Sequence, residues 1–126
     1  MPKVRDMMVS NVVTVSPSTS VVDAAKQMIQ QEKGPLPLVE GERVVGMVTD
    51  RDIIARVVAE GRDPTGVQVS EIGTMQPVTI SPDQDIQEAR QSMAQNQLDR
   101  LIVVEGDRLV GIISEADIRR DEGPLA

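Results

Sequence analysis

Residues 46–53 have the sequence Gly46-Met47-Val48-Thr49-Asp50-Arg51-Asp52-Ile53, and residues 111–118 have the related sequence Gly111-Ile112-Ile113-Ser114-Glu115-Ala116-Asp117-Ile118. The two stretches lie 65 positions apart, and the same shift aligns Val4 to Ala55 with Val69 to Arg120 without a gap. About a third of the aligned positions are identical, which indicates an internal duplication of one supersecondary unit.

The duplication predicts the domain organisation. We expect a first repeat over residues 1–61, a linker over 62–68, and a second repeat over 69–126. The last helix should be short and frayed, because Asp121, Glu122, Gly123 and Pro124 follow its start closely. A repeat of about sixty residues would bury only roughly 60% of its surface alone, so the two repeats should share one core.

Composition excludes several classes of protein. The net charge of −7 and the absence of aromatic residues oppose nucleic acid as the main partner. No apolar run approaches the length of a membrane span, and the first residues lack the apolar core of a signal peptide, so we expect a cytoplasmic protein without a membrane partner. The absence of Cys and His removes thiol, imidazole and His or Cys metal chemistry, which argues against an enzyme and against a metal site.

The pattern within one repeat predicts its elements. A short β-branched run over 11–15 predicts a strand, and Ser20 caps a helix with Val21, Ala24, Ala25, Met28 and Ile29 on one face. The runs 36–39 and 44–48 predict a hairpin, and Thr49 opens a second helix whose buried stripe is Ile53, Ile54, Val57 and Val58, ending at Gly61. The fold class is therefore α/β (α+β), with strand-helix-strand-strand-helix units occurring twice.

One further pair of segments agrees between the repeats, and one more segment of the first repeat has a characteristic sequence. Residues 13–17 have the sequence Val-Thr-Val-Ser-Pro and residues 78–82 have Val-Thr-Ile-Ser-Pro, while residues 34–39 have Gly-Pro-Leu-Pro-Leu-Val. Together with the opening stretches, these segments resemble a tandem pair of CBS domains, the regulatory module named after cystathionine β-synthase, in the form of a standalone bacterial or archaeal protein. The resemblance implies one pseudo-twofold CBS pair that forms homodimers and holds adenosine-containing ligands in clefts between its repeats.

The residues themselves suggest a ligand site at two helix starts. Thr49 with Asp52, and Ser114 with Asp117, each follow a strand and open a helix. A helix N-terminus offers N–H groups to a phosphate, a hydroxyl adds a hydrogen bond, and a carboxylate can accept from ribose hydroxyls. The same spacing is also that of an ordinary N-terminal capping pair, and the two roles can coexist.

The resemblance assigns residues to two clefts. One combines Thr79, Ile80, Leu98 and Arg100 with Thr49, Arg51 and Asp52, and the other combines Thr14, Val15, Lys33, Gly34 and Pro35 with Ser114 and Asp117. The first contains Arg51 and Arg100, so we expect it to bind ligand better. Two departures from the family pattern are Asp99 in place of Gly34 and Ile102 in place of Pro37; Asp99 could repel a phosphate or pair with Arg100. Val15, Leu36, Ile80 and Leu101 could contact an adenine ring or form ordinary core.

We therefore predict a non-enzymatic regulatory sensor of AMP, ADP or ATP, ahead of S-adenosylmethionine or NAD, without a catalytic cofactor. It would form a homodimer and act on an unidentified regulated protein. The alternative is a dimerisation or partner-docking protein whose clefts are degenerate. A carboxylate-only enzyme using magnesium is a third and weaker hypothesis.

Overall fold

The computed structural model describes residues 1–121 and contains two compact units. One unit is a single stretch, residues 13–77, and is called the continuous unit below. The other combines residues 1–12 with residues 78–121, and is called the split unit. The compact units therefore do not coincide with the sequence repeats, because the start of each repeat packs in the unit formed mainly by the other repeat.

The elements follow the duplication closely. The helices are α1 (Val4–Met7), α2 (Val21–Gln31), α3 (Asp50–Ile53), α4 (Val69–Ile72), α5 (Ile86–Asn96) and α6 (Glu115–Asp121); a π-turn (Ile54–Val58) continues α3, and a 3-10 turn spans Pro64–Gly66. The strands are β1 (Pro35–Glu40), β2 (Arg43–Thr49), β3 (Thr74–Met75), β4 (Thr79–Ile80), β5 (Arg100–Glu105) and β6 (Arg108–Ser114). Helices α2 and α5, and the hairpins β1–β2 and β5–β6, have bounds that differ by the same 65 positions as the sequence repeat. The predicted fold class is confirmed.

Each unit is built around an antiparallel hairpin. In the continuous unit β1 pairs with β2, which pairs on its other edge with β3. In the split unit β5 pairs with β6 and, in parallel, with β4. The predicted strand over 11–15 is reduced to a single parallel bridge from Val15 to Leu38, equivalent to the bond between β4 and β5.

The start of each repeat completes a core in the other repeat. Val69 and Ile72 of α4 are buried in the core cluster of the continuous unit, with Leu36, Leu38 and Val57. Val4 of α1 is likewise buried in the core cluster of the split unit. The expectation of one shared core is therefore wrong: the buried side chains of residues 1–121 form two core clusters, and each takes residues from both repeats.

Backbone hydrogen bonds hold these exchanged segments. Val69 N–H donates to Thr19 O (2.9 Å) and Ser70 N–H donates to Pro17 O (3.1 Å). In the split unit, Val4 N–H donates to Gln84 O (2.9 Å) and Arg5 N–H donates to Pro82 O (3.0 Å). Each pair in one unit has its counterpart at the position shifted by 65, so the exchange is itself duplicated.

Gly46 and Gly111 occupy the same place in the two hairpins, where the exchanged segments approach most closely. A β-carbon on Gly46 would lie 3.0 Å from Thr74 O, and one on Gly111 would lie 2.8 Å from Val9 O. Real β-carbons do not approach heavy atoms to less than 3.0 Å. A glycine is therefore required at Gly111 for the segment after α1 to reach β6, and Gly46 serves the same approach in the continuous unit.

Two predicted helix faces need correction. Val21, Ala24, Met28 and Val57 are buried as expected. Ile29, Ile54 and Val58 are instead 81%, 62% and 67% exposed, because the contacts of α2 and α3 within the continuous unit use only part of the apolar stripe.

The segment predicted as a linker is ordered within the continuous unit. It contains the 3-10 turn, and Val67 is buried in the core and accepts a hydrogen bond from Val21 N–H (2.9 Å). Gly61 has φ +69°, as the end of the preceding helix requires. Helix α6 is described from Glu115 to Asp121. Its predicted shortness and fraying concern residues beyond Asp121, which lie outside the described residues, so they stay a prediction.

Truncating the exchanged residues tests this packing. Val4→Ala and Val69→Ala should each lower the free energy of unfolding by about 2 kcal/mol, because both side chains are fully buried. Val9→Ala, whose side chain is 38% exposed, should cost less than half as much. Urea denaturation of the three variants provides the comparison, and equal losses at Val4, Val69 and Val9 would contradict the assigned packing.

Gly111→Ala tests the close approach in the split unit. The added methyl group must displace the backbone around Val9, so we expect a loss of roughly 1–3 kcal/mol. Gly66→Ala is a suitable control, because nothing lies within 4 Å of a β-carbon at that position. A Gly111→Ala variant as stable as the Gly66→Ala variant in the same denaturation experiment would refute the requirement for glycine.

Candidate functional site

In each unit, the end of the second hairpin strand, the start of the helix that follows it and the start of the first hairpin strand lie close together. In the continuous unit these carry Thr49, Arg51 and Asp52 next to Gly34 and Pro35. In the split unit they carry Ser114 and Asp117 next to Arg100. Each predicted cleft combines residues of both units, so the assembly of the clefts stays a prediction.

Thr49 and Asp52 form a complete capping box at the start of α3. Asp52 N–H donates to Thr49 Oγ1 (3.1 Å), and Thr49 N–H donates to Asp52 Oδ2 (2.9 Å). The fold produces this geometry because β2 ends at Thr49 in an extended conformation (φ −122°, ψ 163°) and the helix begins at the next residue. The capping role considered for this pair is therefore present.

The predicted use of free helix N–H groups for a phosphate is wrong at α3. Asp50 N–H donates to Gly34 O (3.1 Å), and Arg51 N–H donates to Asp50 Oδ1 (3.0 Å). With the two bonds of the capping box, the four backbone N–H groups from Thr49 to Asp52 all have acceptors inside the continuous unit.

Three side-chain groups remain available at this helix start. Asp52 uses Oδ2 in the capping box, and its Oδ1 has no hydrogen-bond or ion-pair partner within residues 1–121. The Thr49 hydroxyl accepts from Asp52 N–H and retains its own proton for donation. Arg51 is exposed and has no carboxylate partner in the described chain. Together these three side chains offer a ligand one hydrogen-bond acceptor, one hydrogen-bond donor and one positive charge.

Gly34 and Pro35 adjoin this set within the same unit. Pro35 is opposite Thr49 in the register of β1 and β2. A β-carbon on Gly34 would lie 2.9 Å from Asp50 Oδ1, so the glycine leaves room for that carboxylate. Sequence reasoning missed Asp50, although the repeat carried a signal, because the equivalent positions 50 and 115 are both acidic. The bond from Asp50 N–H to Gly34 O also recurs, from Glu115 N–H to Asp99 O (2.8 Å).

The helix start in the split unit has the same capping box but different surroundings. Asp117 N–H donates to Ser114 Oγ (3.0 Å), and Ser114 N–H donates to Asp117 Oδ2 (2.9 Å). Asp117 Oδ1 lies 3.6 Å from Nη2 of Arg120, whose counterpart in the first repeat is Ala55. The second oxygen of this carboxylate therefore already has a cation beside it.

Asp99 forms an ion pair with Arg100, which is one of the two roles considered for Asp99. Arg100 donates from Nε to Asp99 Oδ1 (2.9 Å) and from Nη2 to Oδ2 (3.1 Å). These hydrogen bonds hold the pKa of the Asp99 carboxyl below its usual value. The cation assigned to the first cleft is thus balanced by a neighbouring carboxylate.

The remaining predicted residues divide between core and surface. Leu36, Ile80 and Leu101 are buried and belong to the core clusters, so the core interpretation holds for them. Thr14 and Val15 are half-buried. Lys33 and Thr79 are exposed, and Leu98 is 41% exposed.

Within residues 1–121, no cluster of three or more Asp and Glu side chains has the arrangement needed to hold a metal ion. None of the helices described is long and apolar enough to cross a membrane.

Known proteins resemble this chain over almost its whole length. The family model for the CBS domain matches residues 4–59 and again residues 69–122. The CBS domain-containing protein YhcV of Bacillus subtilis is 41% identical over 118 residues, which covers 94% of this chain and 84% of that protein.

Two solved structures carry adenosine-containing ligands. The CBS domain pair of protein MJ0100, in complex with 5′-methylthioadenosine and S-adenosyl-L-methionine, superposes with a TM-score of 0.87 at 27% identity and covers 98% of this chain and 97% of its own. CBSX2 in complex with AMP superposes with a TM-score of 0.85 at 25% identity, covering 97% of both chains. The duplicated sequence, the duplicated units and these matches together show that the chain belongs to the CBS domain family, as a tandem CBS pair.

Proposed function

We propose that this CBS pair is a non-enzymatic regulatory module that binds an adenosine-containing ligand and transmits its presence through a homodimer to a regulated protein. The observation that carries the proposal is the free side-chain chemistry at the start of α3. Asp52 Oδ1 can accept a hydrogen bond from a ribose hydroxyl, and the Thr49 hydroxyl can donate one to the ligand. The Arg51 side chain can form an ion pair with a phosphate. AMP, ADP and ATP are the ligands proposed first, ahead of S-adenosylmethionine and NAD.

The cleft containing Thr49 and Asp52 is proposed as the stronger site. Its carboxylate retains one oxygen without a partner among the described residues, whereas Asp117 has Arg120 beside its second oxygen. A carboxylate that must leave an ion pair before it accepts a ligand hydroxyl contributes less to binding. This difference supports the preference for the first cleft on grounds independent of Arg100.

A chemical argument supports the absence of catalysis. The chain has no His or Cys, so neither an imidazole base nor a thiol nucleophile is available beside Thr49 or Ser114. Ligand binding without turnover is the activity that these groups support, and a shift in the dimer equilibrium would follow from any difference in affinity between its arrangements.

One observation favours a second candidate function. The fork between Asp99 and Arg100 balances a cation that the resemblance places in the first cleft. A cleft in which the charge of one of its two arginines is already balanced suits a partner-docking protein in which the fold is retained for assembly. The ligand panel described next separates the two candidates.

Thermal unfolding against AMP, ADP, ATP, NAD and S-adenosylmethionine, with and without magnesium, tests the proposed function. A ligand at a hundredfold excess over its dissociation constant should add about 2.7 kcal/mol to the free energy of unfolding, which is a rise of several degrees for a domain of this size. Guanine and cytosine nucleotides are the controls. No rise with any adenosine compound would favour the docking function instead.

Substitution of the two carboxylates tests the preference between clefts. Asp52→Ala and Asp117→Ala should each cost about 1 kcal/mol of stability without ligand, because each removes one capping box. Asp52→Ala should also abolish most of the ligand-induced rise, while Asp117→Ala should retain most of it. Asp107→Ala, in the exposed turn between β5 and β6, is the control for a carboxylate outside both sites. Retention of ligand affinity in Asp52→Ala together with its loss in Asp117→Ala would reverse the preference.

A further inference from the structure

Asp50 places a carboxylate at a defined position at the start of α3. The side chain is exposed, and its Oδ1 accepts a hydrogen bond from Arg51 N–H (3.0 Å). A β-carbon on Gly34 would lie 2.9 Å from Asp50 Oδ1 and 3.3 Å from Oδ2, so the carboxylate packs directly against the backbone of Gly34. These two contacts hold a negative charge next to the candidate ligand-binding side chains.

The two helix starts differ in how this acidic residue is compensated. The equivalent residue of the split unit is Glu115, which forms an ion pair with Arg119, four residues further on. In the continuous unit the position equivalent to Arg119 is Ile54. Within residues 1–121, Asp50 takes part in no ion pair. The start of α3 therefore carries a negative charge that has no counterpart at the start of α6.

The side chains at the start of α3 have no net positive charge. Lys33 precedes Gly34, whose carbonyl oxygen accepts from Asp50 N–H (3.1 Å), and Arg51 follows Asp50. The charges of Lys33 and Arg51 are cancelled by those of Asp50 and Asp52. The backbone N–H groups of residues 49–52 already have acceptors. Sites that hold a chain of phosphates commonly combine several backbone N–H groups with cationic side chains.

The other arginine assigned to the same cleft adds no excess positive charge. Arg100 donates hydrogen bonds to both carboxylate oxygens of Asp99, so its charge is balanced by a neighbouring residue. A ligand with one phosphate can form an ion pair with Arg51, whereas further phosphates would bring more negative charge than the residues of this cleft balance.

We propose that Asp50 is a specificity-determining residue that restricts the ligand at the start of α3 to an adenosine compound with one phosphate, so that AMP binds in preference to ADP and ATP. The inference rests on the proposed function and narrows the ligand class of the same site. Repulsion between exposed charges extends over about 10 Å at ordinary ionic strength. Because Asp50 and Arg51 are adjacent, phosphates that follow one paired with Arg51 lie within reach of this repulsion.

Isothermal titration calorimetry with AMP, ADP and ATP tests the inference, in buffer without magnesium so that the phosphate charges are not neutralised. The wild-type chain should bind AMP at least about tenfold more tightly than ATP, with ADP between them. Asp50→Asn keeps the size of the side chain and an oxygen that can accept from Arg51 N–H. It should raise the affinity for ATP on the order of fivefold and the affinity for AMP clearly less.

Asp107→Asn is the matched control, because it removes the same charge from the exposed turn between β5 and β6. It should leave the ratio of ATP affinity to AMP affinity unchanged.

A second variant compensates the charge of Asp50 without replacing it. Ile54 is 62% exposed, and its N–H donates to Asp50 O in helical geometry. Ile54→Arg introduces the arginine that Arg119 provides for Glu115 in the split unit. It should therefore shift the ratio of ATP affinity to AMP affinity in the same direction as Asp50→Asn.

Ionic strength separates charge repulsion from an effect of side-chain shape. The gain in ATP affinity of Asp50→Asn should shrink when the salt concentration rises from about 0.05 M to about 0.5 M, because exposed charges are then screened. A gain that is independent of salt would refute the repulsion.

The outcomes also distinguish this inference from the proposed function. If the wild-type chain binds AMP and ATP equally, or if the ratio of the two affinities is the same in Asp50→Asn, the role of Asp50 is refuted and the sensor function stands. If no adenosine compound binds either the wild-type chain or Asp50→Asn, the proposed function is refuted and the inference with it.

Discussion

The insertion of Val4 and Val69 into the cores of opposite repeats is the interaction on which the rest of the structure depends. Both side chains are fully buried, and the short helices that carry them are tied by backbone hydrogen bonds to the loop before the long helix of the other repeat. Because each core needs a segment from the other repeat, neither repeat can bury its own apolar surface alone. The same exchange requires a glycine in the second hairpin, where the backbone at Gly111 meets the segment after α1. Each repeat therefore needs the other repeat to complete its core.

The two capping boxes place the candidate ligand-binding side chains on this fold. Each hairpin delivers a hydroxyl residue to the start of a helix, and the carboxylate three residues on closes the box with one oxygen. What distinguishes the two copies is the other oxygen, which has no partner at Asp52 within the described chain and lies near Arg120 at Asp117. A structural role and a ligand role can therefore occupy the same side chain, and the duplicated sites can differ in affinity through a single neighbouring residue.

Much of this arrangement could be predicted from the sequence. The repeat, the hairpins, the two helix starts and the capping pairs follow from periodicity and spacing, which are local properties. The exchange of segments between the repeats could not be predicted from the sequence. No local feature distinguishes a segment that packs on its own repeat from one that packs on the other repeat. The same reason explains the error at Ile29 and Ile54: helical periodicity identifies an apolar stripe but not its covering surface. The saturation of the N–H groups at α3 depended on Gly34 O, a contact between residues 16 positions apart that spacing rules do not describe.

Native-state amide hydrogen exchange tests the central claim, that cooperative units follow the packing rather than the repeats. Val69, Ser70 and Gln76 donate hydrogen bonds to Thr19, Pro17 and Val45, so their amides should open with the same free energy as the core amides of α2 and β2. The amides of Val4 and Val9 should follow those of α5 and β6. If the amides of residues 69–76 opened together with those of α5 and β6, and independently of those of α2, the account would be contradicted.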